Sequence, residues 1–250
     1  MQAAEAPAQA APCRSCRAVE FLESSIGKKI MVALAGLFLC VFLLTHLAGN
    51  LILFLGGPAF DRYAQMLESN PLLPLAESGL VILFLIHIAL AVRARLANMA
   101  ARPVAYQVYK GKDARTPGSS TMALTGTLVL VFIIIHVATI KFQVGGAKGP
   151  DLFGHVTGWF HNPLYAGFYV VALIGVGLHL SHGVQSAFQT LGINHPRYTP
   201  MLKKLGAAFA ILIALGFISI PIYFGFFNRA PATMQTNGSA MPIGPIGGAQ

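Results

Sequence analysis

An all-α integral membrane bundle of five transmembrane helices is the fold this sequence predicts. Three observations predict it. The 250-residue chain is 55% apolar and only 10% charged, where a soluble domain carries about a quarter charged residues. The apolar residues gather into five runs, about Ile30–Leu55, Leu72–Val92, Met122–Ile140, Leu164–Phe188 and Leu205–Phe227. Every Lys and Arg lies outside those runs.

Each run is long enough to cross a hydrocarbon core of ~30 Å, which takes roughly 20 residues in helical form. A backbone in lipid has no water to bond, so each run must close its own hydrogen bonds as a helix. The charge then orients the bundle. Residues 1–29, 93–118 and 189–204 should share one side, and they hold 13 Lys/Arg, among them Lys28, Lys29, Arg93, Arg95, Lys110, Lys112, Arg115, Lys203 and Lys204. The other side holds four: Arg62, Lys141, Lys148 and Arg229. The positive-inside rule puts the N-terminus in the cytoplasm and, after five spans, the C-terminus outside. The net charge of +9 is thereby absorbed by topology, and nucleic acid is not an expected partner. Membrane lipid is.

One membrane domain is expected over residues 25–228, with a mobile cytoplasmic tail over 1–24 and a flexible outer tail over 229–250. Residues Met1–Ala11 are rich in Ala and Pro and lack the basic-then-apolar order of a signal peptide. Cys13 and Cys16 form a lone C-x-x-C in the N-terminal tail, a weak metal signal. Arg17 stands where a c-type haem attachment motif needs His. Cys40, inside the first run, is expected to serve packing. No internal repeat is visible.

The chemistry lies in the histidines. Five of eight fall within the runs: His46, His87, His136, His179 and His182. One intramembrane His is often an interhelical hydrogen bond. A set covering each of the first four spans points to function. Depth separates them. At 1.5 Å per residue, His46 lies ~25 Å from the inner end of the first span and His136 ~24 Å from that of the third. His87 lies ~9 Å and His182 ~10 Å from the inner ends of the second and fourth. Two pairs result, an outer one (His46, His136) and an inner one (His87, His182). Two imidazoles at one height on two helices suit bis-histidine ligation of a haem iron. His179 is three residues before His182 and could take its place, though His182 matches the depth slightly better. Gly49, Gly126, Gly175, Gly177 and Gly183 would let a porphyrin approach the helices. Arg93, Arg95, Ser24, Ser25, Ser119, Ser120, Lys28 and Lys203 are inner-side candidates for haem propionates. His155, His161 and His195 are read as surface residues in loops.

These residues resemble a known family. The carrying segments are Ser24-Ser25-Ile26-Gly27-Lys28-Lys29, Leu43-Leu44-Thr45-His46-Leu47, Leu85-Ile86-His87-Ile88-Ala89-Leu90-Ala91-Val92-Arg93, Ile135-His136-Val137 and the run from Leu178 through His179, His182 and Gly183 to Gly192. In order and spacing, from about Ser24 to Phe227, the chain resembles the dihaem cytochrome b (b558-type) membrane anchor of succinate dehydrogenase and fumarate reductase. The resemblance implies two haems b. His46 and His136 would hold the distal one and His87 and His182 the proximal one, with the His before Gly183 favoured over His179. It implies a flavoprotein subunit, an iron–sulfur subunit that feeds electrons to the anchor, and a quinone, often menaquinone, in a bacterial cytoplasmic membrane. Some dihaem fumarate reductases carry a Glu two residues before the fourth ligand; here that residue is Leu180.

Quinone chemistry needs a protonatable group with access to water. Glu77, inside the second span near its outer end, and Glu68, just before it beside Asn70, are the candidates, with Asn50 or His161 as hydrogen-bond partners. An inner quinone site near Ser25 and Lys28 is the competing location. A cytochrome b subunit of a hydrogenase or formate dehydrogenase is the alternative reading. A transporter would need broken helices and an internal repeat, and neither is visible.

Overall fold

The computed structural model describes residues 20–21, 23–101, 117–146 and 149–228, with 117–120 as backbone only. The Cys13–Cys16 pair, Lys110, Lys112, Arg115, Lys148, Arg229 and most of both tails lie outside the described residues, as do the side chains of Ser119 and Ser120.

Among the described residues the chain is all-helical. Five long helices form, α1 (Ser25–Leu51), α3 (Leu73–Ala100), α4 (Pro117–His136), α6 (Pro163–Thr190) and α7 (Thr199–Ile222), joined by shorter helices α2 (Gly57–Glu68) and α5 (Leu152–Phe160). A 3₁₀ turn extends α1 to Leu55, and π turns extend α4 over Val137–Lys141 and α7 over Tyr223–Phe227. All five long helices are long and apolar enough to cross a membrane; the shortest candidate span, Thr121–Lys141, has 21 residues, or ~32 Å of helix. The second span runs to Ala100, beyond the Val92 expected from the apolar run, because Arg93 and Arg95 can ride on a helix that leaves the lipid with their heads in water.

The sequence sets the helix ends. Ser24 caps α1, accepting from Gly27 N at 3.0 Å. Asn162 caps α6 through Leu164 N and Tyr165 N, with Pro163 pre-set at the first helical position. Gly192, at φ +87°, closes the same helix in a Schellman turn: Ile193 N donates to Phe188 O and Gly192 N to Gln189 O.

Helix α6 is the hub, packed against α7, α4 and α1, while α3 packs against α1. The crossings use small residues, as membrane helices do. A Cβ on Gly177 would meet Ala214 Cβ of α7 at 2.9 Å, and one on Gly216 would meet Leu47 of α1 at 2.7 Å. Outward, Leu34, Phe38 and Val41 on α1 and Val81, Ile82 and Leu85 on α3 are exposed apolar residues, as a lipid-facing surface requires.

Helices α2 and α5 were read from sequence as outer loops. Each is too short or too polar to register as an apolar run. They dock on each other through Asp61 Oδ1, which accepts from Phe153 N at 2.9 Å, and through Gly57, whose Cβ would meet the Phe153 ring at 3.3 Å. Each brings an aromatic into the core: Phe60 of α2 and Phe160 of α5 are buried. The pair of short helices caps one end of the bundle, the end that the charge pattern assigns to the outside.

Candidate functional site: two pairs of facing histidines

Four of the five intramembrane histidines meet as two pairs. His46 of α1 and His136, the last residue of α4, face each other edge to face with ring centroids 5.9 Å apart. Phe42, one turn before His46, stacks on its ring at 5.1 Å, and Phe217 of α7 lies 5.6 Å away. Phe132 stands in the same relation to His136, one turn earlier at 5.6 Å. Asn50 donates to the His46 carbonyl at 2.8 Å, and its amide lies 3.4 Å from both ring nitrogens. His136 Nδ1 is 3.0 Å from Tyr169 OH of α6.

The second pair is His87 of α3 and His179 of α6, with centroids 6.4 Å apart and planes at 74°. The ring that faces His87 is therefore that of His179, where the sequence reading paired it with His182. His182 makes a 3.3 Å contact with Gln185 one turn on. Counting rise along a helix gives depth only. Three residues also turn a side chain by about 300° at 3.6 residues per turn, and that azimuth decides which ring meets His87.

The second pair is cradled by glycine. A Cβ on Gly36 of α1 would come 3.3 Å from His87 Cε1, and one on Gly126 of α4 would come 3.5 Å from His179 Cε1. The Nδ1 atoms of both rings are buried without a hydrogen-bond partner among the described residues. Each such orphan costs about 1–3 kcal/mol unless something binds it. Nitrogens orphaned in facing pairs suit a metal-centred group that takes one ligand from each side. Among the described residues no three His, Cys, Asp or Glu converge as a metal-holding cluster.

Glu77 forms an ion pair with Lys141, joining the ends of α3 and α4 with both side chains half exposed. Glu68 is exposed at the end of α2. At the other end of the bundle, Ser25 and Arg93 are exposed and Lys28 is half-buried. His161 follows α5 as its C-cap and is half-buried.

A family model described as the succinate dehydrogenase/fumarate reductase transmembrane subunit matches residues 98–218. That stretch includes α4 and α6, with His136, His179 and His182. Over that stretch, 121 of its 250 residues, the chain is similar to this family. A relative, the succinate dehydrogenase cytochrome b558 subunit of Bacillus subtilis (strain 168), is 24% identical over 200 residues, covering 74% of this chain and 89% of that one. No solved structure matches.

The structure carries site features that the sequence left unseen. Tyr165 and Tyr169 read as ordinary aromatics of an apolar helix, yet their hydroxyls converge with Thr139 beside His136. Gly36 looked like any glycine of a membrane helix. The spacing of Tyr165 and Tyr169, one turn apart as Phe42 and His46 are, could have signalled the shared face. His155, read as a surface residue, bonds the Thr139 carbonyl at 2.8 Å.

Proposed function

We propose that this chain is the membrane anchor and electron-transfer subunit of succinate:quinone oxidoreductase, holding two haems b in one membrane domain over residues 25–228. The observation that carries this reading is the meeting of four intramembrane histidines as two facing pairs, His46–His136 and His87–His179. The family-model match over residues 98–218 supports it, and so does the similarity to the cytochrome b558 subunit of Bacillus subtilis. The facing rings favour His179 over His182 as the partner of His87. Haem b held there supplies a reversible one-electron iron couple.

The chain's own residues do the rest. The imidazoles fix two stations at different depths, and Phe42, Phe132 and Phe217 keep water from the outer one. Gly36 and Gly126 leave room beside the inner one. Arg93, Ser25 and Lys28 serve propionates on the inner side, where the basic loops receive an iron–sulfur subunit and, behind it, a flavoprotein subunit. A quinone, menaquinone in the reading favoured here, reacts near the outer station, with Glu77 or Glu68 exchanging protons with water. The setting is a bacterial cytoplasmic membrane, with the N-terminus inside and the end capped by α2 and α5 outside.

Mild detergent extraction followed by affinity purification tests the assignment. A flavoprotein and an iron–sulfur protein should co-purify, and a reduced-minus-oxidised visible spectrum should give two b haems per chain. Co-purification with a hydrogenase or formate dehydrogenase would overturn it, as would a preparation free of haem.

A further inference from the structure

His136 is built into a chain of buried hydroxyl groups. Its Nδ1 lies 3.0 Å from Tyr169 OH. Tyr165 OH, one turn away on the same helix, lies 2.7 Å from that Tyr169 oxygen. Tyr165 OH also lies 2.7 Å from Thr139 Oγ1 in the π turn after His136. All three side chains are buried. The assembly is held from the capped end. His155 of α5 donates from Nε2 to the Thr139 carbonyl at 2.8 Å. The Trp159 ring lies 4.7 Å from that of Tyr165, and Phe160 and Phe132 stand edge-on to Tyr169 at 5.1 and 5.0 Å.

The other paired histidines are held differently. Among the described residues, His46 has the Asn50 amide at 3.4 Å beside its ring nitrogens, and the Nδ1 atoms of His87 and His179 have no partner. His136 differs in having a short hydrogen bond to a hydroxyl that is itself held by Tyr165.

We propose that Tyr169 is a positioning residue for the outer haem, accepting a hydrogen bond from His136 Nδ1–H and so fixing Nε2 as the ligating nitrogen. This rests on the reading of His136 as a haem ligand. An imidazole whose Nδ1–H has an acceptor is a more basic ligand. A more basic ligand favours the oxidised iron, and hydrogen bonding around the ligand is one of the levers by which a protein sets haem potential. Tyr169 therefore lowers the potential of the outer station relative to a chain without its hydroxyl. Tyr165 holds that oxygen in place, so its effect on the same station is indirect and smaller.

The test is a redox titration of the haem absorption bands in the purified, detergent-solubilised complex, comparing the parent with Tyr169→Phe and Tyr165→Phe. Tyr169→Phe should keep both haems and shift the midpoint potential of one upward, the other unmoved. Tyr165→Phe should shift that same haem by a smaller amount and leave the other unmoved. An unchanged midpoint in Tyr169→Phe, or equal shifts at both haems, would overturn the proposal. If Tyr169→Phe fails to assemble, Tyr165→Phe decides: a shifted potential at one haem alone supports the proposal and an unmoved one overturns it. A parent complex without haem would instead overturn the underlying ligand reading.

Discussion

The imidazole of His87 faces that of His179 at 6.4 Å, edge to face, with the Nδ1 of each ring buried and unpartnered. Two neutral rings gain little from meeting in this way, and two buried unbonded nitrogens cost more than the contact returns. A ligand taken by both rings would resolve the imbalance.

The first expectation concerns these rings. His87→Ala and His179→Ala should each reduce haem from two per chain to one, measured by pyridine haemochrome against protein. His182→Ala should retain both. Loss of a haem in His182→Ala with retention in His179→Ala would restore the pairing read from depth alone.

Glycine beside the inner pair supplies the second. A side chain on Gly36 enters the space of His87 Cε1, 3.3 Å from the Cβ position, whereas a side chain on Gly79 of the same bundle meets nothing within 4 Å. Gly36→Leu should lose one haem, and Gly79→Leu should keep both. Equal haem content in the two variants would show that Gly36 is not part of the cradle.

The ion pair of Glu77 with Lys141 yields the third. Both side chains are half exposed, and such a pair is worth about 0–1 kcal/mol. Glu77→Gln should therefore leave haem content and thermal stability near those of the parent. Its succinate:quinone reductase rate should fall severalfold while succinate oxidation by a soluble artificial acceptor stays normal. Glu68→Gln is the companion variant. Normal quinone turnover in both variants would remove the carboxylates from the proton path and favour the inner site near Ser25 and Lys28.

Topology gives the fourth. Ser69 is exposed at the end of α2, on the side that the charge pattern assigns to the outside. A single cysteine at Ser69, with the native cysteines replaced, should react with a membrane-impermeant maleimide in intact cells. Protection there, with labelling only after lysis, would reverse the orientation.

The sequence by itself determined the elements that follow from one-dimensional rules. Five apolar runs of about 20 residues, none holding a Lys or Arg, had to be helices, because lipid offers the backbone no other partner. Ser24, Asn162 and Gly192 sit where caps and the Schellman turn need them. Rise along the helix brought His46 and His136 to one level, and their rings do meet. The tertiary structure decided what depends on azimuth and on contacts distant in sequence. It turned His179 toward His87, brought Tyr165 and Tyr169 of α6 onto His136 of α4 and onto Thr139 in the π turn after it, and folded two segments between the spans into α2 and α5, joined through Asp61 and Phe153. In lipid an apolar helix is comfortable at any rotation about its axis. Rotation is therefore set only when neighbouring helices close on Gly36, Gly126 and Gly177, and no single run of sequence contains both sides of those contacts.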